Sequence, residues 1–283
     1  MFKNYLKIAL RYLTRYKTYT AINVLGLAVG ITCCILIMLF VRSEFSYDRF
    51  NSKANRIYRT WQDEKYQGQE FKNTATSIPM GPALQNSFPE IESMCRVFRF
   101  NTLLKIGNNS FNENITVVDP TLFKIFDFKL RHGNPGSPFP TDNSVIITPT
   151  ISKKYFGDAG AIGKTFEMQL TDEKQLFTVV GIAENAPEES SIKYDILIPF
   201  ANAKLIFNPR MLHSWFNVFN ETYVLLRRDV SVANLQKKFP AMLKQQLGED
   251  YNTEEFNVYL QPLTTIHLDN SLPAGIQPIS NPK

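Results

Sequence analysis

Residues 18–41 read TYTAINVLGLAVGITCCILIMLFV, and these 24 positions carry no charged side chain. The most apolar 20 run from Ala21 to Phe40, enough to cross a hydrocarbon core as a helix. A cleaved signal peptide would have a shorter apolar region, about 7–15 residues, and then a small-x-small site. This run is longer, and its end (Leu39, Phe40, Val41, Arg42) is bulky. Gly30-Ile31-Thr32 before Cys33 does not form a lipoprotein box either. The stretch reads as a retained anchor. Gly26 and Gly30, with Ala28 between them, have the G-x-x-x-G spacing that lets a second helix approach. Glycine is also common in membrane helices at large, so the spacing alone does not choose between the two readings.

Working outward toward the N-terminus, residues 1–41 hold five basic side chains (Lys3, Lys7, Arg11, Arg15, Lys17) and no acidic one. The positive-inside rule therefore places residues 1–17 in the cytoplasm and everything after about residue 42 outside it. Phe2, Leu6, Ala9, Leu10 and Leu13 share one helical side, while Lys3, Lys7 and Arg11 repeat on the other. That stripe predicts an amphipathic helix lying in the inner leaflet, in preference to a plain basic flank.

The 283 residues contain 31 Lys+Arg and 26 Asp+Glu, a net charge of +5. Removing the five N-terminal cations leaves 26 basic against 26 acidic groups, so the remainder is balanced. A nucleic-acid partner is not expected, because such a domain needs a basic face on its folded part. With 22 Phe and 12 Tyr the chain has large apolar groups to bury, which excludes disorder. Cys33 and Cys34 lie in the apolar run and Cys95 stands alone, so the large part is not a disulfide scaffold.

Beyond the anchor no second run reaches spanning length. The richest, residues 195–207, is interrupted by Asp195, Pro199 and Lys204. The pattern predicts two similar β-α-β units. The first has strands near 56–63 and 94–100 around a helix near 78–88, with Ser77 as N-cap and Pro89 as stop. The second has strands at 221–228 and 255–261 around a helix from 232 to 247. Ser231 would cap that helix, Gly248 would close it and Pro240 would kink or split it. Between the units, residues 101–200 read as β-rich, with strands at 114–118, 126–131, 145–148, 165–170, 177–183 and 194–198 and a short helix at 152–156 ending at Gly157. Asn108-Asn109, Asn134-Pro135-Gly136 and Ala186-Pro187 mark turns.

Several of these stretches resemble one family. LKIALRYLTRYKTYTAINVLGLAVGI (6–31) is similar to the N-terminal helix and first membrane helix of MacB/FtsX-type ABC transporter permeases. KKYFGDAGAIGKTF (153–166) and TVVGIAENAPEESSIKYDILIP (178–199) resemble consecutive parts of their periplasmic core domain. QPLTTIHL (261–268) resembles the stretch shortly before their second membrane helix. The resemblance implies an α+β chain: one transmembrane helix, then a periplasmic domain of two β-α-β units (porter-like) with a β-rich (sabre-like) insertion. On that plan residues 1–17 are the cytoplasmic amphipathic helix and 18–41 the span. Residues 42–100 and 201–268 form the porter-like part, 101–200 the insertion, and 269–283 a tail toward a second membrane helix. The family has three further membrane helices after that domain. The 283 residues end before them, so a truncated or fragmentary protein is expected. The implied partners are the lipid bilayer, a separate cytoplasmic ABC ATPase and a second permease copy. A periplasmic adaptor and an outer-membrane channel are further partners that the family allows. The implied location is the inner membrane.

No catalytic, cofactor or metal residue is assigned. DAGAIGKT (158–165) approaches a P-loop, but the first position of G-x-x-x-x-G-K-[ST] falls on Asp158, and Gly-Lys-Thr leads into a strand rather than a helix. ATP hydrolysis is thus expected on another protein. Ser190 and Lys193 form an S-x-x-K, but between a turn and a strand they do not share a helical face and read as a solvated loop. His132, His213 and His267 are far apart without ligand-spaced carboxylates, and Cys95 has no histidine near it. Trp215, Phe216 and Phe219 form the densest aromatic cluster, read as core packing ahead of a contact surface. The functional expectation is a non-enzymatic permease subunit. The alternative is a single-pass anchored binding or sensor ectodomain, and a secreted hydrolase has only the S-x-x-K behind it.

Overall fold

A computed structural model describes residues 2–107, 109–170, 174–273 and 275. It divides into two units, Met1–Ser46 and Tyr47–Lys283, each described by itself.

The first unit is helical. α1 spans Phe2–Arg15 and α2 spans Lys17–Glu44, two residues longer and four residues longer than the stripe and the charge-free run suggest. The break falls at Tyr16 (φ −108°, ψ 59°), where Thr20 Oγ1 donates to Leu13 O at 2.9 Å and the Tyr12 and Tyr16 rings lie 4.8 Å apart. α2 has 28 residues, about 42 Å of helix. None of them is buried within the protein, although the side chains are overwhelmingly apolar. A core helix of a soluble protein would hide those side chains against its own chain. An apolar helix exposed on every side needs lipid around it.

The second unit is built on one mixed sheet. In chain order its strands and helices are β1 (Ile57–Tyr66), β2 (Gln69–Asn73), β3 (Thr76–Ser77), α3 (Met80–Ser87), β4 (Ile91–Ile106), β5 (Asn109–Val118), α4 (Leu122–Ile125), β6 (Leu130–His132), β7 (Ser144–Ile147), α5 (Pro149–Phe156), β8 (Thr165–Gln169), β9 (Lys174–Ala183), β10 (Ile196–Pro199), α6 (Ala203–Ile206), α7 (Pro209–His213), β11 (Val218–Leu226), α8 (Val232–Gln236), α9 (Phe239–Leu247) and β12 (Phe256–Pro262). The main path runs β12-β1-β11-β4-β5-β10-β7-β9-β6.

The two predicted β-α-β units are both present, and they interleave. β1 and β4 flank α3 in sequence, yet β11 lies between them in the sheet and pairs antiparallel with both. β12 closes the other side of β1, also antiparallel. The order β12-β1-β11-β4 is therefore that of a split β-α-β fold. Its helices cover one face, where Met80 and Leu84 of α3 and Phe239, Met242 and Leu243 of α9 pack on Val224, Leu226, Val258 and Leu260. Pro240 acts as expected. The helical stretch is divided into α8 and α9, Pro240 sits in the first turn of α9, and Gly248 ends it with φ +63°. Ser231 Oγ accepts from Asn234 N at 3.4 Å. The expected cap at Ser77 is not formed: Ser77 belongs to β3, paired with β11, and Pro79 precedes α3 without a side-chain cap.

β4 is much longer than expected and belongs to two structures. Its first half lies in the split β-α-β layer, and its second half pairs with β5. From there the ladders β5-β10, β10-β7, β7-β9, β9-β8 and β8-β4 return to the starting strand, so these strands close on themselves. Inside lie Phe98, Leu104, Ile115, Val117, Val145, Ile147, Phe166, Met168, Phe177 and Ile196. Their neighbours Val118, Ile146 and Leu197 face outward into another core with Ile57, Tyr223, Ile125 and Phe126. Burial on both faces explains why the short strands SVII and ILIP read as unbroken apolar runs. At the joint, Arg96 of β4 grips Asp119 through Nε (2.9 Å) and Nη2 (2.8 Å), with its guanidinium 3.7 Å from the Phe200 ring. The strand expected over 126–131 shrinks to Leu130–His132. Phe126 and Phe128 are buried by packing after α4 instead of by a ladder. The turn at Asn108 falls outside the described residues, as do Ala274 and 276–283 of the expected tail.

Candidate functional site

The helix-free face of the split β-α-β layer buries charge. Arg59 of β1 stands opposite Tyr223 of β11 and Gln261 of β12, so register alone brings the three side chains together. Arg59 Nη1 lies 3.0 Å from Glu221 Oε1, with both side chains 2% exposed. Arg59 Nε and Nη2 donate to Gln261 Oε1 at 3.1 and 2.6 Å. Tyr223 O–H donates to Glu221 Oε2 at 2.9 Å, and Gln261 Nε2 donates to Asp269 Oδ2 at 2.8 Å.

The chain beyond β12 crosses this face. Leu272 is buried, Thr74 Oγ1 donates to Pro273 O at 3.5 Å, and a side chain at Gly275 would collide with Glu221 and Arg59. Burial, then the Glu221 charge, push the Tyr223 hydroxyl well above its ordinary pKa. For Asp269 burial opposes ionisation. Hydrogen bonds from Ser271 and Gln261 and the Arg59 charge outweigh it and hold the carboxyl below its ordinary range. Every charge in this network has a partner. Such a network fixes the register of three strands and docks the chain that follows β12. It offers no nucleophile beside a base. Further along the same face Trp61 and Tyr259 stack at 4.7 Å, with Lys72 Nζ 5.8 Å from the Trp61 ring.

The residues singled out from sequence fall elsewhere. Gly163 has φ +78° and donates its N–H to Val179 O (2.8 Å), and Thr165 opens β8. Gly-Lys-Thr is therefore a turn into a strand. Ser190 and Lys193 do not meet. Ser190 Oγ is committed to the backbone of Ile192, and Lys193 Nζ donates to Pro187 O and Glu188 O, both at 2.6 Å. The loop is also less solvated than expected, since Ser190 is buried. His132 and His213 are exposed, whereas His267 is buried against Tyr47. Cys95 is buried in β4, and that burial pushes its thiol pKa up. Among the described residues no group of three or more His, Cys, Asp or Glu is placed to hold a metal.

The aromatic cluster divides. Phe219 packs on Phe207 with ring centroids 4.5 Å apart, Trp215 packs against the helix-side core, and Phe216 is 55% exposed. Sequence reading passed over Arg59, Glu221 and Gln261. The available signal was the parity of IYRTW, which puts Arg59 on the same face as Ile57.

A helix long and apolar enough to cross a membrane precedes this mixed α+β domain, which is a MacB-like periplasmic domain of an ABC-type transporter permease. Residues 20–242 match the model of the MacB-like periplasmic core domain, and the chain belongs to that family. Among solved structures it is similar to a domain described as that of a permease protein from Porphyromonas gingivalis. The TM-score is 0.64 at 22% identity, over 75% of this chain and 91% of that one. It is also similar to the periplasmic region of MacB from Actinobacillus actinomycetemcomitans, with a TM-score of 0.52 at 16% identity over 75% and 91% of the two chains. These likenesses are of fold. No curated protein matches the chain.

Proposed function

We propose that the chain is the membrane subunit of a MacB/FtsX-type ABC system, in which a separate cytoplasmic ATPase drives movement of an extracytoplasmic domain. The observation that carries this reading is the MacB-like periplasmic core domain match over residues 20–242, beginning inside the apolar helix Lys17–Glu44. Residues 1–17 lie in the cytoplasm, α1 rests on the inner leaflet of the inner membrane, and the bulk of the chain is periplasmic. Residues 42–100 and 201–268 act as the porter-like part and 101–200 as the sabre-like part, with 269–283 leading back toward the membrane. The protein catalyses no reaction itself. It works as a dimer, and its stroke serves export, extraction of a membrane-anchored substrate or mechanical signalling to a partner such as a periplasmic adaptor.

Support for a moving periplasmic body comes from the construction of β4. One continuous strand runs through both the split β-α-β layer and the closed ring, so displacement of one tends to carry the other. The test is affinity purification of the full-length protein from its native membrane, in detergent and in nanodiscs. Recovery of a cytoplasmic ABC ATPase is the expected result. Consistent recovery without any ATPase would overturn the reading.

A further inference from the structure

The first helix carries an uncompensated column of charge. Lys3, Lys7, Arg11 and Arg15 follow one another at four-residue steps along α1, so each stands about one turn beyond the last. Residues 2–43 contain no acidic side chain, and the first is Glu44. Like charges at this spacing weaken a helix. Lys3 also stands in the first turn, where the helix dipole favours an acid. α1 has 14 residues, none of them buried, so neither its length nor packing against its own chain secures it. Its order has to come from what surrounds it.

The charges are not spread evenly around the helix. Lys7, Arg11 and Arg15, with Asn4, Ile8 and Tyr12, line a groove of about 400 Å³ along one flank. Ile8 and Tyr12 form its apolar margin, and both are exposed. The Tyr12 ring lies 4.8 Å from the Tyr16 ring, and the Arg15 guanidinium carbon lies 6.0 Å from the Tyr16 ring centre. Lys3 stands at the opposite margin of the polar side, near Leu6 and Leu10. One flank thus offers three cations beside an aromatic and aliphatic edge, and the other offers one.

Three features of the richer flank choose its partner. Two of its cations are guanidiniums, whose forked donors suit an anion with several oxygens. Its apolar margin suits a ligand with hydrocarbon next to the anionic group. Only Tyr16 separates α1 from α2, so the anion has to be present where the apolar helix begins. A phospholipid of net negative charge meets all three. Free phosphate meets the first alone, and an acidic protein surface leaves the apolar margin unfilled.

We propose that the Lys7–Arg11–Arg15 flank of α1 binds the phosphate headgroup of an anionic phospholipid, with the lipid's glycerol and upper acyl chain against Ile8 and Tyr12. The phosphate supplies the counter-charge that the column lacks, so anionic lipid orders α1. The inference rests on the reading that α1 lies on the membrane surface, and it names the lipid class engaged there.

The test is amide hydrogen exchange of residues 2–15 in the full chain, in nanodiscs of phosphatidylcholine alone and of phosphatidylcholine mixed about 3:1 with phosphatidylglycerol. In the wild type these amides should exchange roughly three- to tenfold more slowly in the mixed lipid, and about 0.5 M salt should erase most of that difference. Arg11→Gln should lose most of the difference, and Lys3→Gln should keep most of it. In phosphatidylcholine alone Arg11→Gln should exchange no faster than wild type, because glutamine keeps helix propensity and relieves the repulsion. Equal wild-type exchange in the two lipids would overturn the proposal. So would equal losses in Arg11→Gln and Lys3→Gln, which would leave a general attraction of charge and no site. Should Arg11→Gln loosen α1 in phosphatidylcholine as well, the salt response and Lys3→Gln decide, and a difference that survives salt or vanishes in Lys3→Gln sinks the idea. Protection that is equal in both lipids and needs a bound ATPase would make the partner a protein and overturn the lipid assignment. A nanodisc has the same lipid on both faces, and none of these outcomes requires an ATPase, so the lipid site and the transport reading fail separately.

Discussion

Glu221 and Asp48 are both buried acids of the same ectodomain, each 1% exposed, and their surroundings treat them in opposite ways. Glu221 has Arg59 on one oxygen and the Tyr223 hydroxyl on the other. Asp48 has a backbone N–H on one oxygen and an open site on the other. The first arrangement is complete and holds three strands in register. The second is incomplete and sits where the chain comes in from α2. A complete network resists change, because every alternative leaves a charge unpaired. An incomplete one is costly to ionise, and burial raises the Asp48 pKa.

The largest expected effect breaks the complete site. Arg59→Met leaves Glu221 buried without its cation and should cost about 3–5 kcal/mol. The double variant Arg59→Met/Glu221→Leu removes both charges and should recover most of that loss. Denaturant unfolding of the full chain in detergent, followed by near-UV circular dichroism, measures both. A double variant as unstable as the single one would show that the pair contributes more than its own neutralisation.

The incomplete site should respond with opposite signs to two substitutions. Asp48→Asn keeps the hydrogen bonds and removes the charge, so it should stabilise the fold at neutral pH by about 0.5–2 kcal/mol. Asp48→Ala strands the Ser191 N–H and leaves a Cβ residue at φ +58°, costing about 1–3 kcal/mol. The pH dependence follows from the raised Asp48 pKa. A carboxyl harder to ionise in the folded state contributes its stability below the unfolded value and loses it as pH rises through the folded value. Wild type should therefore gain on Asp48→Asn as pH falls through that window. Parallel stability curves for the two proteins would remove Asp48 from the list of titrating groups.

A packing change without any charge calibrates these figures. Gly181 lies in β9 where the ladder with β7 shifts register. An added Cβ would meet His132 O at 3.0 Å, Ile146 Cγ1 at 3.1 Å and Leu130 Cδ2 at 3.3 Å. Gly181→Ala should cost about 1–3 kcal/mol. A neutral result would mean that β6 and β7 shift easily there and that the ring is softer than its core composition suggests.

Local features of this molecule were legible in the sequence, and long-range ones were not. Pro240 divides its helix, Gly157 and Gly248 end theirs, and Phe256, Val258 and Leu260 bury one face of β12, each from chemistry contained within a few residues. The interleaving of the two β-α-β units depends on β11 slipping between β1 and β4, and neither strand's own sequence states which neighbour it takes. Phe126 and Phe128 read as a strand because both are large and apolar, but their burial comes from packing beside Tyr194 and Tyr223. The two polar sites divide in the same way. Arg59 could have been suspected, since its parity matches Ile57. Asp48 lies in a polar stretch, and only the folded chain brings the loop at 191 onto it.

The smallest effect completes the contrast between buried and exposed acids. Asp142 and Lys204 lie 2.8 Å apart, as close as the Arg96–Asp119 pair, but their side chains are 52% and 60% exposed. Water already solvates both charges, so pairing them adds little and holding Lys204 in one rotamer costs entropy. A double-mutant cycle with Lys204→Gln and Asp142→Asn should give a coupling of about 0.5 kcal/mol or less, fading as salt is raised. A coupling as large as that at Arg59–Glu221 would mean that distance and not burial ranks the ion pairs here. The cost assigned to breaking the buried Arg59–Glu221 pair rests on burial, and it would fall with that result.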